Sequence, residues 1–69
     1  MTIIMKKLPE RLRRLRLSKG WKQADLAARA KVSQPLISQL EAGTKASASV
    51  IPLLRIARAL GVTVEKLVG

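Results

Sequence analysis

The chain contains no cysteine, histidine, tyrosine or phenylalanine. Without cysteine there is no disulfide, and without cysteine or histidine there is no thiolate or imidazole metal site. The same gaps remove most side chains that act as nucleophiles or general acids and bases. The four carboxylates, Glu10, Asp25, Glu41 and Glu65, show no paired arrangement suited to acid–base work. No enzyme, cofactor or metal is therefore expected. No apolar run approaches a membrane span. The opening Met1-Thr-Ile-Ile-Met5 is too short for the apolar region of a signal peptide, and its lysines follow it rather than precede it. Aromatic residues are reduced to one, Trp21.

What is present is positive charge. Fourteen lysines and arginines stand against the four acids, for a net charge of +10 in 69 residues. Such an excess points to a polyanionic partner, nucleic acid first and an acidic membrane surface second. The length allows one domain with a thin core, which needs tight helix packing or a partner chain. Hydrophobic residues make up 48% of the chain, mainly Leu, Ala, Ile and Val, a mixture that favours helix over strand.

Punctuation at Lys19-Gly20, Lys31-Val32-Ser33, Gly43 to Ser49 and Gly61 divides the chain into five helical patterns, with no strand signal. The first places Leu8, Leu12 and Leu15 at helical spacing, with Pro9 in its first turn and Gly20 as its stop. The second, Gln23 to Ala30, gathers Leu26, Ala27 and Ala30 on one face. In the third, Ser33 is the cap, Pro35 lies in the first turn, and Leu36, Ile37 and Leu40 form the apolar stripe. Ser49 is expected to cap a fourth helix reaching Leu60, whose broad apolar face holds Leu53, Leu54, Ile56, Ala57 and Leu60. Thr63 caps a short fifth, Val64 to Val68. The expected fold is a compact all-α, five-helix domain over residues 8–69, preceded by a flexible tail at residues 1–7.

The second and third helices are joined by a three-residue turn, which makes a helix-turn-helix. Ala27 is small where the helices approach, and Val32 fills the corner. An αα-hairpin with no DNA role packs in the same way. The outward residues favour reading. From Val32 to Leu40 there is no charge, and the face opposite the apolar stripe shows Ser33, Gln34, Pro35, Ser38 and Gln39. A glutamine amide donates and accepts at adenine N6 and N7, and serine serves either kind of base edge. A cation here would also be drawn to phosphates of any sequence, whereas neutral amides bind weakly without a matching base.

Trp21-Lys-Gln-Ala-Asp-Leu-Ala27, Val32-Ser-Gln-Pro-Leu-Ile-Ser-Gln-Leu-Glu-Ala-Gly43 and Leu54-Arg-Ile-Ala-Arg-Ala-Leu-Gly-Val62 together resemble the Cro/cI-type (XRE) helix-turn-helix family of lambda-repressor-like domains. The resemblance spans about residues 8 to 68. It implies base reading by Gln34, Pro35, Ser38 and Gln39, and backbone phosphate contacts from Gln23, Ser33, Thr44 and Lys45; Lys22 is added to the phosphate set because, like Lys45, it flanks the two helices expected to approach DNA. Gln23 matches a position that often buttresses the residue at 34. Arg16 and Glu41 match an ion pair linking the first helix to the end of the third. Two positions depart from the family: Lys31 stands where glycine is frequent, and Pro35 where a hydrogen-bonding residue is frequent. The remaining basic residues either meet phosphate or solvate the surface; Arg13, Arg14 and Arg58 are assigned to solvated faces. Trp21 matches a packed hydrophobic position rather than a stacking residue.

The family resemblance also implies a double-stranded DNA partner, a homodimer on two half-sites about 34 Å apart, and a cytoplasmic, nucleoid-associated location. The apolar residues Val62, Val64, Leu67 and Val68 either contribute to that dimer or complete the monomer core. The reading that follows is a sequence-specific regulator, a repressor on a palindromic operator. The alternative is an antitoxin-like module that binds a toxin or other protein partner and regulates its own operon. A membrane-active helix is disfavoured because Gly20, Pro35, Gly43, Pro52 and Gly61 break the chain into short pieces.

Overall fold

A computed structural model describes residues 2–4, 6–45 and 47–69. Helix α1 runs Leu8–Ser18, with Pro9 in its first turn, where a missing N–H is not needed. Leu8 and Leu12 are fully buried and Leu15 packs beside them. The helix stops where Gly20 turns to φ 71°, and the Gly20 and Trp21 N–H groups donate back to the Leu17 and Arg16 carbonyls at 2.9 and 3.3 Å.

Helix α2, Gln23–Ala30, begins with a half-box: the Asp25 carboxylate accepts from the Lys22 backbone N–H at 2.8 Å. Its buried face is Leu26, Ala27 and Ala30. Lys31 ends it in the left-handed region, φ 57° and ψ 44°. A β-carbon in that conformation carries strain on the order of 1 kcal/mol, so this departure from glycine is tolerated at a small cost. Helix α3, Gln34–Ala42, starts at Ser33, whose Oγ accepts from the Leu36 N–H at 3.2 Å. Ile37 and Leu40 enter the core, and Gly43 closes the helix at φ 73°.

Helix α4, Val50–Leu60, buries Leu53, Ile56, Ala57 and Leu60. Two expectations change here. Ser49 occupies the N-cap position without a side-chain cap hydrogen bond, and Leu54 is 44% exposed rather than part of the apolar face. Leu54 follows Leu53 by one position, so the 100° step per residue carries it off the buried stripe toward Ile51. Helix α5, Val64–Val68, is capped by Thr63, whose Oγ1 accepts from the Lys66 N–H at 3.2 Å.

No strand signal stands out along the chain, yet two three-residue strands form. β1, Thr2–Ile4, pairs antiparallel with β2, Ser47–Ser49, with Ile3 opposite Ala48. The N-terminal segment expected as a free tail thus lies against the chain leading into α4. Pairing supplies the backbone partners that an extended segment otherwise finds only in water. Helices α2 and α3 pack on each other, α1 rests on α3, α4 on α2, and α5 closes the end against α1 and α4. Leu8, Leu12, Leu26, Ile37, Leu40, Leu53, Ile56 and Leu67 are the largest fully buried side chains, so every helix contributes to one core.

Candidate nucleic-acid interface

The outward face of α3 is held in place by a chain of hydrogen bonds. Arg16 on α1 donates from Nε and Nη2 to the two Glu41 carboxylate oxygens, at 2.6 and 2.9 Å. This is a bidentate fork, the strongest ion-pair geometry. The side chains are 11% and 3% exposed. The remaining Arg16 nitrogen, Nη1, donates to the Trp21 carbonyl at 2.8 Å, so each of the three guanidinium nitrogens has a partner. The hydrogen bond that Arg16 donates to Glu41, opposed by desolvation and aided by Coulombic attraction, raises the Arg16 pKa above its already high value. A base whose pKa is raised in the folded state contributes stability that is fully present below its unfolded pKa and is lost only as the pH rises through the folded one.

From Glu41 the chain continues to α2 and α3. Gln23 Nε2 donates to Glu41 Oε1 at 3.3 Å, and Ser38 Oγ donates to Gln23 Oε1 at 2.7 Å. Arg13 adds a bond from Nη2 to the Glu41 carbonyl at 3.3 Å. The expected pair of Arg16 and Glu41 is present, and it is one end of a four-residue relay. Gln23 buttresses Ser38 rather than Gln34. Neither link was visible from spacing alone, although the 23/38 separation follows once α2 and α3 are packed.

The relay sorts the expected reading residues. Gln34, Pro35 and Gln39 are exposed, and among the described residues neither glutamine amide makes an intramolecular hydrogen bond. Ser38 is half-buried; its O–H is engaged with Gln23, and only its lone pairs face outward chemistry as acceptors. Pro35 offers an apolar edge on the first turn.

The expected phosphate residues divide as well. Lys22 and Lys45 are exposed and carry no salt bridge among the described residues. Ser33 accepts from Leu36, which leaves its O–H free to donate. Gln23 keeps one amide N–H beyond its bond to Glu41. Thr44 differs: its N–H and its Oγ1 both donate to the Gln39 carbonyl at 3.2 Å. A phosphate contact from Thr44 therefore requires the hydroxyl to rotate away from that carbonyl. Of the residues considered for dimer contact, Leu67 is fully buried in the core and is removed from that surface. Val62, Val64 and Val68 are partly buried against the core.

The family model described as helix-turn-helix matches residues 12–67. The chain belongs to this family, the Cro/cI (XRE) type of DNA-binding helix-turn-helix domain, a family of regulators and not of enzymes. Among solved structures it is similar to the restriction-modification controller protein C.AhdI from Aeromonas hydrophila, at 31% identity over 88% of this chain and 91% of that one, with TM-score 0.81. It is similar to the N-terminal DNA-binding domain of SinR from Bacillus subtilis, at 26% identity over 90% of both chains, with TM-score 0.86. The structure of SinR, a master regulator of biofilm formation, in complex with DNA matches at TM-score 0.85 and 26% identity, over 90% of this chain and 98% of that one. No curated protein sequence matches the chain. Among the described residues no helix is long and apolar enough to cross a membrane.

Proposed function

We propose that the domain represses transcription by reading a two-fold symmetric operator as a homodimer, with α3 in the major groove. The observation that carries this reading is the pairing of freedom with restraint on one helix. The amides of Gln34 and Gln39 are exposed and uncommitted, while the relay from Arg16 through Glu41 and Gln23 to Ser38 fixes the helix that bears them. A reading element needs both properties, because a bidentate amide–adenine contact is worth about 1–3 kcal/mol of discrimination only in the right geometry.

Lys22 and Lys45 flank α2 and α3 and supply backbone contacts, with the Ser33 hydroxyl and the remaining Gln23 N–H. The longest dimension of the domain is 28 Å. Two copies therefore fit side by side on half-sites one turn, about 34 Å, apart. That the similar SinR structure holds DNA supports the duplex as partner.

Selection of binding sites from randomised duplex DNA, with competitor at physiological salt, tests the proposal. The expected outcome is a two-fold symmetric motif with half-sites one turn apart. Strongly salt-dependent binding with no enriched motif defeats it, because the exposed glutamines would then read nothing.

A further inference from the structure

A second basic feature lies at the other end of α2. About 10 Å along the helix from Gln23, a cleft of about 420 Å³ opens between α2 and α4, lined by Arg29, Ala30, Lys31, Arg55, Arg58 and Ala59. Ala30 is buried and Ala59 half-buried, so small side chains leave a recess there; the four cations are exposed around it.

Two of the four make contacts within the domain. The Arg29 guanidinium lies over the Trp21 ring, 4.5 Å from its centroid. Arg55 Nη1 donates to the Lys31 carbonyl at 3.4 Å. Lys31 itself holds the left-handed conformation that glycine would adopt without strain. No carboxylate offsets the charge: the salt bridges among the described residues involve Arg13, Arg14 and Arg16. The C-terminal ends of α2 and α4 each bring roughly half a negative charge. Together that is about one negative charge against four positive ones.

We propose that this cleft binds a phosphate-bearing small molecule, at a site separate from the duplex-reading face. Guanidinium forks match phosphate oxygens bidentately. A duplex presents its phosphates along an extended ridge, whereas four cations gathered round a recess suit one compact polyanion. The volume falls in the range of small-molecule sites, roughly 300–1,000 Å³. This site goes beyond the reading of DNA by α3 and does not depend on it.

The test is titration of inorganic pyrophosphate into the isotope-labelled protein, followed by backbone and arginine side-chain NMR at constant ionic strength. The expected result is a saturable change centred on Ala30, Lys31, Arg55 and Ala59, with affinity about tenfold weaker in an Arg55→Gln/Arg58→Gln double variant. Non-saturating shifts, or shifts as large at Lys22 and Lys45, overturn the proposal. The double variant also separates the two sources of phosphate. Its salt slope for DNA binding is expected to match that of the parent. A slope lower by about 1.8, two contacts at about 0.9 each, places these arginines on the duplex and overturns a separate site. Arg58→Gln alone, which removes no hydrogen bond given by the structure, keeps the test valid if the double variant is less stable.

Discussion

Replacing Glu41 by glutamine isolates the contribution of charge at the centre of the relay. The carboxylate is 3% exposed and accepts from Arg16 Nε, Arg16 Nη2 and Gln23 Nε2. Glutamine has nearly the same shape but only one acceptor oxygen. Its NH₂ must face an N–H, so one arm of the Arg16 fork is left without an acceptor and the buried cation without a counter-charge. Breaking one side of a buried pair costs about 3–5 kcal/mol. In a domain of this size 1 kcal/mol moves the midpoint by about 4–8 °C, so a fall of roughly 12–40 °C is expected by circular dichroism. Total stability of small domains is about 5–15 kcal/mol, so the variant is left close to unfolding.

An Arg16→Met/Glu41→Leu double variant removes both charges together. Such apolar replacements are often neutral or stabilising, so most of the lost stability should return. Gln23 then has no carboxylate to brace it, and Ser38 loses its anchored partner. DNA affinity, measured below the melting midpoint, is therefore expected to stay weakened while stability recovers. A Glu41→Gln midpoint within about 2 °C of the parent would refute the argument. So would a double variant that is fully stable and binds DNA as well as the parent, since the relay would then position nothing.

Gln34→Ala and Gln39→Ala should each relax discrimination at one base position by about 1–3 kcal/mol, read as a changed preference in competition binding with little change in melting. Lys22→Ala and Lys45→Ala should weaken binding evenly across sequences and lower the salt slope by about 0.9 each. Lys31→Gly relieves the left-handed strain at φ 57° but adds freedom to the unfolded chain. Relief of about 1 kcal/mol against a loss of about 0.4–1 leaves a net gain of at most about 0.6 kcal/mol, checked by urea unfolding. Leu67→Ala should destabilise the monomer by about 2–5 kcal/mol. If it only shifts a monomer–dimer equilibrium, measured by sedimentation, the burial of Leu67 is not what holds α5.

The helices were legible because their ends carry chemistry at fixed places. Ser33 and Thr63 are caps in the structure as in the pattern, and Gly20, Gly43 and Gly61 sit at positive φ where each helix was expected to stop. The strands were not legible. Thr2–Ile4 and Ser47–Ser49 are three residues each, too short for a period, and Ser-Ala-Ser has no strand preference of its own. Their partner lies more than forty residues away in sequence. Leu54 misled because an apolar residue next to an apolar stripe reads as part of it until the neighbouring helix fixes the buried direction. The pair of Arg16 and Glu41 was readable only through family resemblance. The bond between Gln23 and Ser38 depends on how α2 and α3 approach, which local spacing does not encode.

The solitary indole gives this domain a built-in optical probe. With no tyrosine or phenylalanine, near-ultraviolet absorption and emission come from Trp21 alone. Its ring lies beneath the Arg29 guanidinium and within 5.6 Å of the Lys19 ammonium, while its carbonyl is held by Arg16. The emission of an indole follows the charges around it. A single fluorescence trace, without any label, therefore reports both the corner between α1 and α2 and any anion that draws Arg29 away from the ring.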